Sequence, residues 1–500
     1  PNRPTSVVAM SNAPELDAAG LPEELSPLDQ ILHRGEANPR TRSGILTVEL
    51  LDTTPDWELF RTRFENASRK VLRLRQKVVT PTLPTAAPRW VVDPDFNLDF
   101  HLRRVRVPEP GTFRQVMDLA EVAAQSPLDI SRPLWTATLI EGVQNGQSAL
   151  MVHLSHAVTD GVGGVEMFAH LYDLERDPPP QDTPPLPIPT DLSPNDLMRR
   201  GLNRLPGTVV GGMRDAVFGA AQAVGHVVRD PVSRLGSVID YAMSGARVIG
   251  PVADPSPLLR RRSLSSRSDA IDIEFGDLHR AAKAAGGSIN DAYLAGVCGA
   301  LRLYHSAKGV PIDTLPMAVP VNLRSEADPA GGNRFVGVNL AAPIGLTDPE
   351  ARIKNIRMQM TRKRDERALD MVGAVAPLIS LLPDTVLESM AGSIVNSDVQ
   401  ASNVPVYAGD TFIAGAQVLR QYGLGPLPGV AMMVVLVSRS GYCTITARYD
   451  RASIADPDLF AQCLLGGFDE VLSLGGAGQA VPATFTEDTQ VFSYNGSGQQ

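Results

Sequence analysis

The sequence has few of the residues that characterise several large classes of protein. Its three cysteines, Cys298, Cys443 and Cys463, are widely spaced and odd in number, so they predict neither a disulfide framework nor a Cys/His metal motif. Aromatic residues make up only 5% of the chain, which disfavours functions that depend on stacked bases or sugars. Acidic residues (55) outnumber basic ones (46), and the net charge of -9 argues against binding to nucleic acid. We therefore expect a reducing compartment, no bound metal and no nucleic-acid partner.

Long apolar runs are also missing. The longest uncharged apolar stretches, 371–383 and 422–438, both contain proline and are shorter than the roughly 20 residues needed to span a bilayer. The first twenty residues have no apolar core flanked by basic residues, so they do not predict a secretory signal. We expect a cytoplasmic protein without transmembrane helices.

Length and proline content indicate how the chain is divided. At about 150 residues per domain, 500 residues predict roughly two to four domains, and a hydrophobic content of 43% is enough for a large core. The segment 178–189, PPPQDTPPLPIP, has seven prolines in twelve positions and cannot form a regular helix or a central strand. The predicted units are a flexible N-terminus (1–24), an N-terminal block (25–177), a proline-rich boundary with a helical connector (178–265), a C-terminal block (266–475) and a tail (476–500).

Local patterns predict several elements within the two blocks. The β-rich runs 134–142 and 148–154 flank Asn145-Gly146, the strongest short signal for a hairpin turn. Ser288, followed by Asp291 three positions later, predicts a capping box that starts a helix reaching about His305. Further helices are predicted over 165–174 and 277–285, and further strands over 314–321, 336–342, 430–438 and 442–449.

The sharpest candidate for chemistry is the spacing H-x-x-x-D-G at His156, Asp160 and Gly161, in the loop between the second hairpin strand and the next helix. A histidine in such a loop can present a ring nitrogen to a cavity and exchange protons near neutral pH. Asp160 is better suited to pairing with a cation that holds the loop, and Gly161 lets the backbone turn. The spacing also occurs by chance. His153 and His170 could complete a metal site with these residues, but no motif orders such a ligand set.

Motifs for other chemistries are absent. The chain has no G-x-S-x-G elbow, no H-E-x-x-H, no phosphate-binding G-x-x-x-x-G-K-[ST] and no G-x-G-x-x-G after a strand. This disfavours serine hydrolases and nucleotide-phosphate enzymes.

Taken in order along the chain, a set of short motifs resembles the bacterial wax ester synthase/diacylglycerol acyltransferase family, particularly its actinobacterial triacylglycerol-synthase-like members. That family lies within the larger group of CoA-dependent acyltransferases and condensation domains that carry H-H-x-x-x-D-G. The resemblance covers roughly residues 25–475. The motifs are Leu25-Ser26-Pro27-Leu28-Asp29, the segment 96–103 (FNLDFHLR), Pro133-Leu134-Trp135, the loop 156–161, Asn290-Asp291, Pro320-Val321-Asn322-Leu323-Arg324, Gly332-Asn333 and Ser402-Asn403-Val404-Pro405.

The resemblance implies an α/β fold of two chloramphenicol-acetyltransferase-like subdomains, with the active site in a tunnel between them. It implies an O-acyltransferase that moves a long-chain acyl group from acyl-CoA, as co-substrate, to diacylglycerol or a fatty alcohol, with no bound cofactor. His156 would be the general base. Asp160 would pair with a cation, for which Arg324 is our candidate.

Several further positions carry two interpretations each. Asn290 could point an amide toward the site or only assist the helix cap, and Glu36 could support the site or be a surface acid. Trp135 could contact substrate, although core packing is the favoured interpretation. Ser402 and Asn403 are candidates for substrate binding.

Two departures from the family pattern bear on activity. Ser155 stands where the family has its first histidine, and Val406 stands where it usually has a glycine. Relatives with H-x-x-x-D alone also transfer acyl groups, so Ser155 does not exclude activity. The alternatives to a neutral-lipid synthase are a weakened homologue that binds lipid or a partner, and an acyltransferase with another acceptor.

Association with a membrane or lipid droplet also stays open. The segments 201–234 and 371–390 could lie on a lipid surface at the inner face of the membrane, or pack on the protein. The oligomeric state is not predicted.

Overall fold

The computed structural model describes residues 20–83, 85–159, 161–179, 181–204, 252–322, 335–365, 397–407, 409–476 and 478–484. These residues form two large β-sheets flanked by helices, together with a short two-stranded ribbon of β2 (Gln76–Val79) and β3 (Arg89–Val92). The α/β class predicted from the sequence is confirmed.

The first sheet has six strands in the order β11-β12-β1-β6-β5-β4. Alternation along β1 gives it two different faces: Leu46, Val48 and Leu50 pack in a core with α4, while Ile45 and Thr47 face the other way. The strand bounds are β1 (Gly44–Leu51), β4 (Leu102–Arg106), β5 (Trp135–Glu141), β6 (Ser148–Ser155), β11 (Phe412–Ile413) and β12 (Ala416–Leu424).

The predicted hairpin is confirmed as β5 and β6, which pair antiparallel. Asn145 and Gly146 lie between them with φ of 61° and 69°, the left-handed conformation that the Asn-Gly signal predicts. Because β6 ends at Ser155, the hairpin places the next residue, His156, at the end of a central strand.

The helices of the first half are α1 (Pro27–Gly35), α2 (Trp57–Lys70), α3 (Leu98–His101), α4 (Phe113–Gln125), α5 (Gly161–Phe168) and α6 (Pro194–Arg204). The helix predicted over 165–174 is α5, and its predicted bounds were wrong. It begins four residues earlier and gives way to a 3₁₀ turn, Ala169–Leu171. Gly161, Gly163 and Gly164 all lie inside the helix, and at Gly164 an added Cβ would be 3.9 Å from Leu154, so the helix packs against β6.

The second sheet has seven strands in the order β15-β7-β14-β13-β10-β8-β9. The four strands predicted from the sequence in this block are β8, β9, β13 and β14, with bounds shifted by at most two residues. The strand bounds are β7 (Ser266–Glu274), β8 (Leu315–Asn322), β9 (Phe335–Ala342), β10 (Val399–Pro405), β13 (Met432–Arg439), β14 (Tyr442–Asp450) and β15 (Val481–Pro482).

The helices of the second half are α7 (Phe275–Ala284), α8 (Ile289–Ala307), α9 (Pro349–Asp365) and α10 (Pro457–Leu472). The predicted capping box at the start of α8 is confirmed, since Asp291 N donates to Ser288 Oγ and Ser288 N donates to Asp291 Oδ2. Helix α8 is buried along most of its length and packs closely on α10. A Cβ at Gly467 would lie 2.1 Å from Ala300 N, so only glycine allows this approach.

The C-terminal half contributes two strands to the first sheet, an arrangement that the sequence did not predict. Strands β11 and β12 come from the predicted C-terminal block, yet β12 pairs antiparallel with β1 in the first sheet. A buried polar contact also links the halves: Glu121 of α4 accepts hydrogen bonds from Ser266 Oγ (2.6 Å) and from Ser268 Oγ of β7. The two halves are therefore joined both by strands β11 and β12 and by side-chain hydrogen bonds.

Several predictions fall on residues that the structure does not describe. These are Asp160, Arg324, the segment 371–390 and the segment 201–234 beyond Arg204. Among the described helices, none combines the length and the apolar character that crossing a bilayer requires.

Candidate active site

A cavity of about 840 Å³ lies between the two sheets, with His156 in its wall. Alternate residues of two facing strands supply part of the lining: Ile45, Thr47 and Glu49 from β1, and Met433, Val435, Val437 and Arg439 from β13. Because β1 and β13 belong to different sheets, neither half alone could enclose this space. The lining is mainly aliphatic, which suits hydrocarbon chains.

His156 follows the last residue of β6 and is half-buried. The turn that carries it is held by the backbone, because Val158 N donates to Ser155 O (3.0 Å) and Ser155 N donates to Leu134 O (3.0 Å). The helix α5 begins at Gly161, five positions after His156, and its Gly164, Val165 and Phe168 also line the cavity. A central strand and a helix thus fix the position of this histidine from both sides.

Ser155, at the position of the family's first histidine, faces away from the cavity. Its side chain is fully buried (0% exposed), and its hydroxyl donates to Glu36 Oε1 at 2.7 Å. Burial raises the pKa of Glu36 above its ordinary value, while the Ser155 hydrogen bond and the nearby Arg42 charge oppose that increase. The interpretation of Glu36 as a surface acid is wrong, because this carboxylate is buried against the end of β6 just before His156.

Asn290, Ser402 and Asn403 all line the same cavity as His156. Asn290 lies in the first turn of α8, where Ser288 and Asp291 already form the cap, so capping does not require its amide. Ser402 and Asn403 lie on β10, in parallel register with Val435 and Leu436 of β13. The structure therefore brings three of the predicted polar residues to one surface with His156.

Trp135 does not contribute to that surface. Its side chain is 1% exposed, its Nε1 donates to Leu74 O (2.8 Å), and its ring stacks on His101 at 4.6 Å between centroids. His101 Nδ1 in turn donates to Trp135 O (2.7 Å). The substrate-binding role considered for Trp135 is wrong, because hydrogen bonds and ring packing hold it within the core of the first half.

His153 and His170 do not join His156 in one site. His153 is buried on the opposite face of β6 from Val152 and Leu154, and burial lowers its pKa to about 4, with the Arg448 and Arg42 charges adding to the effect. His170 is exposed in the 3₁₀ turn after α5. Within the described part of the chain, no three His, Cys, Asp or Glu side chains are grouped to hold a metal.

A polar cluster at the far end of the cavity was not predicted. It consists of Glu49, Tyr172, Thr411, Gln421 and Arg439. The Tyr172 hydroxyl donates to Glu49, while Arg439 donates to Thr411 Oγ1 and, at 3.3 Å, to Gln421 Oε1. Burial raises the pKa of Glu49 above its ordinary value, and the Arg439 charge opposes that rise. The sequence signal was present but ambiguous, since Thr47 and Glu49 at alternate positions of β1 also fit a solvent-facing strand.

Comparison with known proteins identifies the family. Residues 16–293 match the wax ester synthase/diacylglycerol acyltransferase catalytic domain, and residues 331–471 match the WS/DGAT C-terminal domain. The chain is 69% identical over 472 residues to a Mycobacterium tuberculosis (strain ATCC 25618 / H37Rv) protein named "Putative diacyglycerol O-acyltransferase Rv2484c". That match covers 94% of this chain and 96% of the relative.

Solved structures show the same fold. The wax ester synthase/diacylglycerol acyltransferase from Marinobacter aquaeolei VT8 matches with a TM-score of 0.60 at 18% identity, covering 91% of this chain and 100% of that one. The starter condensation domain of rhizomide synthetase RzmA, a mutant in complex with C8-CoA and Leu-SNAC, matches with a TM-score of 0.54 at 13% identity, covering 91% and 94%. The two-subdomain fold implied by the sequence resemblance is confirmed. The chain belongs to the wax ester synthase/diacylglycerol acyltransferase family and is an acyltransferase.

Proposed function

We propose that this acyltransferase moves a long-chain acyl group from acyl-CoA to the hydroxyl of diacylglycerol or a fatty alcohol, with His156 as general base. The observation that carries the proposal is the position of His156 in the wall of a mainly aliphatic cavity of about 840 Å³. A space of this size and character suits hydrocarbon chains and would keep water from the thioester.

The chemistry requires one transfer step. The His156 imidazole removes the proton of the acceptor hydroxyl while the oxygen forms a bond to the thioester carbon. The carbon–sulfur bond then breaks, and the imidazolium returns its proton to the departing thiolate. The products are a neutral lipid ester and free CoA, and no acyl-enzyme is formed.

Polar groups around His156 would assist this step. Asn290 and Ser402 line the same cavity and are our candidates for hydrogen bonds to the oxyanion or the acceptor. Asp160 and Arg324 remain a proposed pair that holds the His156 loop. General base catalysis contributes roughly 10²–10⁴ in rate, so positioning and oxyanion stabilisation must supply the rest.

Lipid substrates imply contact with a lipid surface, and the chain offers a candidate region. Leu174 and Tyr407 line the cavity and are 70% and 56% exposed. Exposed apolar side chains at a cavity mouth suit a peripheral association with a membrane or lipid droplet, through which a hydrophobic acceptor would enter.

The direct test measures CoA release from palmitoyl-CoA with diacylglycerol or hexadecanol. We expect His156→Ala to lower kcat by roughly 10²–10⁴, the usual contribution of a general base. His170→Ala is the matched control, because His170 is exposed outside the cavity and its loss should leave the rate unchanged. Equal rates for wild type and His156→Ala would refute the role of His156.

Ser155 favours a second candidate function, a homologue that binds lipid without efficient turnover. Serine replaces the imidazole that the family has at this position, and its buried hydroxyl is committed to Glu36. Binding of acyl-CoA without turnover across a panel of lipid, sugar and amine acceptors would favour this function over catalysis.

A further inference from the structure

A second, smaller pocket lies next to the His156 end of the cavity. We call it the basic pocket; it has a volume of about 280 Å³, and four arginines and one aspartate supply its charged lining: Arg40, Arg42, Arg262, Arg448 and Asp450. Residues of the segments 263–266 and 427–430, with Pro39, Ala124 and Gln125, complete its wall. It draws residues from both halves of the protein.

Only a short stretch of chain separates the basic pocket from the cavity. Gly425 and Pro426 line the cavity, while the next residues, Leu427 and Pro428, line the basic pocket. Arg448 Nη1 donates to Gly425 O at 3.1 Å and so contacts the dividing segment from the pocket side. A ligand with an anionic end in the pocket could therefore extend past this segment toward the cavity.

The basic pocket is also close to the loop that carries His156, as the pairing of β1 with β6 shows. Arg42 precedes Gly44 by two positions, and Gly44 pairs with Ser155, the residue before His156. The pocket and the polar cluster at Glu49 thus lie toward opposite ends of β1, with His156 near the pocket end.

Most of the hydrogen bonds that these arginines make go to uncharged groups. Arg42 donates to two backbone carbonyls, Gln125 O (2.7 Å) and Glu36 O (3.3 Å), which orient the guanidinium without neutralising it. Arg262 donates to Ser453 Oγ (3.2 Å) and to carbonyl oxygens. Arg40 is exposed, and within the described part of the chain its side chain makes no hydrogen bond or ion pair.

The carboxylates near these arginines are also held by other donors, although Asp398 and Asp450 attract Arg262 and Glu36 attracts Arg42. Both carboxylate oxygens of Asp450 already accept hydrogen bonds, from Ser263 N (2.5 Å), Ser263 Oγ (2.8 Å) and Ala452 N (2.8 Å). Glu121 lies 3.4 Å from Arg448 and balances that arginine alone. The lining of the pocket itself holds four arginines and one aspartate, so basic side chains predominate on its surface.

Clustered guanidinium groups are the usual protein partners of phosphate esters. We propose that the basic pocket binds the phosphate groups of the CoA thioester, so that the sulfur reaches His156 and the acyl chain extends into the cavity. This inference rests on the proposed use of acyl-CoA. The pocket is slightly smaller than typical pockets for whole ligands, which begin at roughly 300 Å³, so the adenosine would lie over the exposed rim near Arg40 and Leu264.

The test measures binding of CoA and of pantetheine, which lacks the phosphates, to the full chain by calorimetry. We expect Arg40→Glu to weaken CoA binding about 5-fold or more, and Arg40→Glu with Arg262→Gln about 30-fold or more, as charge-assisted bonds are lost. Pantetheine binding should not change in either variant. The matched control is Arg280→Glu, the same charge change on α7 outside both pockets, which should stay within about 2-fold of wild type.

Two further measurements separate the possible failures. Phosphatidylglycerol vesicles present the same phosphate chemistry as a headgroup; loss of vesicle binding in the double variant with unchanged CoA affinity would overturn the assignment to CoA. Unchanged KM for palmitoyl-CoA in a double variant that still turns over would overturn it while leaving the proposed function intact. Wild-type protein that neither binds CoA nor consumes palmitoyl-CoA would remove the proposed function as well.

Discussion

The length of the aliphatic cavity yields a quantitative prediction for Val437→Phe. Val437 lines the cavity on β13, two positions before Arg439 at the polar end. At about 3.3 Å per strand residue, the part of the cavity beyond Val437 is about 7 Å long. A hydrocarbon zigzag with bonds of about 1.5 Å at about 111° advances about 1.25 Å per methylene, so about five methylenes fit there.

A phenylalanine ring at position 437 should exclude those methylenes. Beyond Val437 the lining includes Arg439 and its polar neighbours, so about 0.8 kcal/mol for each excluded methylene is an upper limit. The loss is then at most about 4 kcal/mol, or about 10³ in kcat/KM for a chain that fills the cavity. A chain short enough to end before Val437 should lose little. The added ring points into open space rather than into the packed core, so we expect the protein to keep its fold.

The assay is CoA release over two series of substrates, with acyl donors from C8 to C16 at a fixed alcohol and alcohols from C8 to C16 at a fixed donor. The series whose long members lose activity in Val437→Phe identifies the substrate whose chain occupies the cavity. Met433→Leu, a change of similar volume at the other end of the lining, should alter neither series by more than about 3-fold. Uniform losses at every length, or no loss in either series, would refute the reasoning.

Three further predictions concern the surroundings of the site. Ser155→Ala should lower the free energy of unfolding by about 1.5–3 kcal/mol, measured by urea unfolding, because the buried Glu36 carboxylate loses its hydroxyl donor; an unchanged value would mean that this bond contributes nothing. The folded-state pKa of His153, about 4, lies below its unfolded value of 6.5. Below pH 6.5 the unfolded chain therefore binds a proton that the folded protein does not, and the stability present above pH 6.5 is lost as the pH falls toward 4. Relative to wild type, His153→Leu should therefore gain about 2 kcal/mol of stability between pH 7 and pH 5, and parallel stability curves would contradict this. Leu174→Glu should weaken binding to lipid vesicles, measured by co-sedimentation, because a charge replaces an exposed apolar side chain at the cavity mouth; unchanged binding would exclude that mouth as the lipid contact.

Local elements were predictable because their signals lie within a few residues of sequence. The Asn145-Gly146 turn and the Ser288–Asp291 cap depend on backbone conformation and side-chain hydrogen bonds over three or four positions. The predicted bounds of α5 were wrong because local signals were all that the prediction used. Its glycines favour a loop locally, and only packing against β6 retains them in a helix.

The environment of the candidate site depended on contacts that no local pattern contains. Glu36 meets Ser155 across 119 positions, and Glu49 meets Tyr172 across 123. The motifs identified His156, Asn290 and Ser402, but the burial of Glu36 and the polar end of the cavity follow only from how the strands are assembled. Trp135 shows the converse, since its place in a motif left substrate contact open beside the favoured core packing, and its burial agrees with core packing.

The pairing of β12 with β1 in the first sheet has a consequence for folding during synthesis. Gln417 N donates to Asp52 Oδ1 across 365 positions, so one edge of β1 stays open until the ribosome has delivered almost the whole chain. At about 5–20 residues per second, that wait lasts roughly 20–70 s. During this time β1 exposes an unpaired strand edge that can recruit other chains. We therefore expect the nascent N-terminal half to depend on chaperones, and C-terminal truncations that remove β12 to aggregate rather than to yield an isolated N-terminal domain.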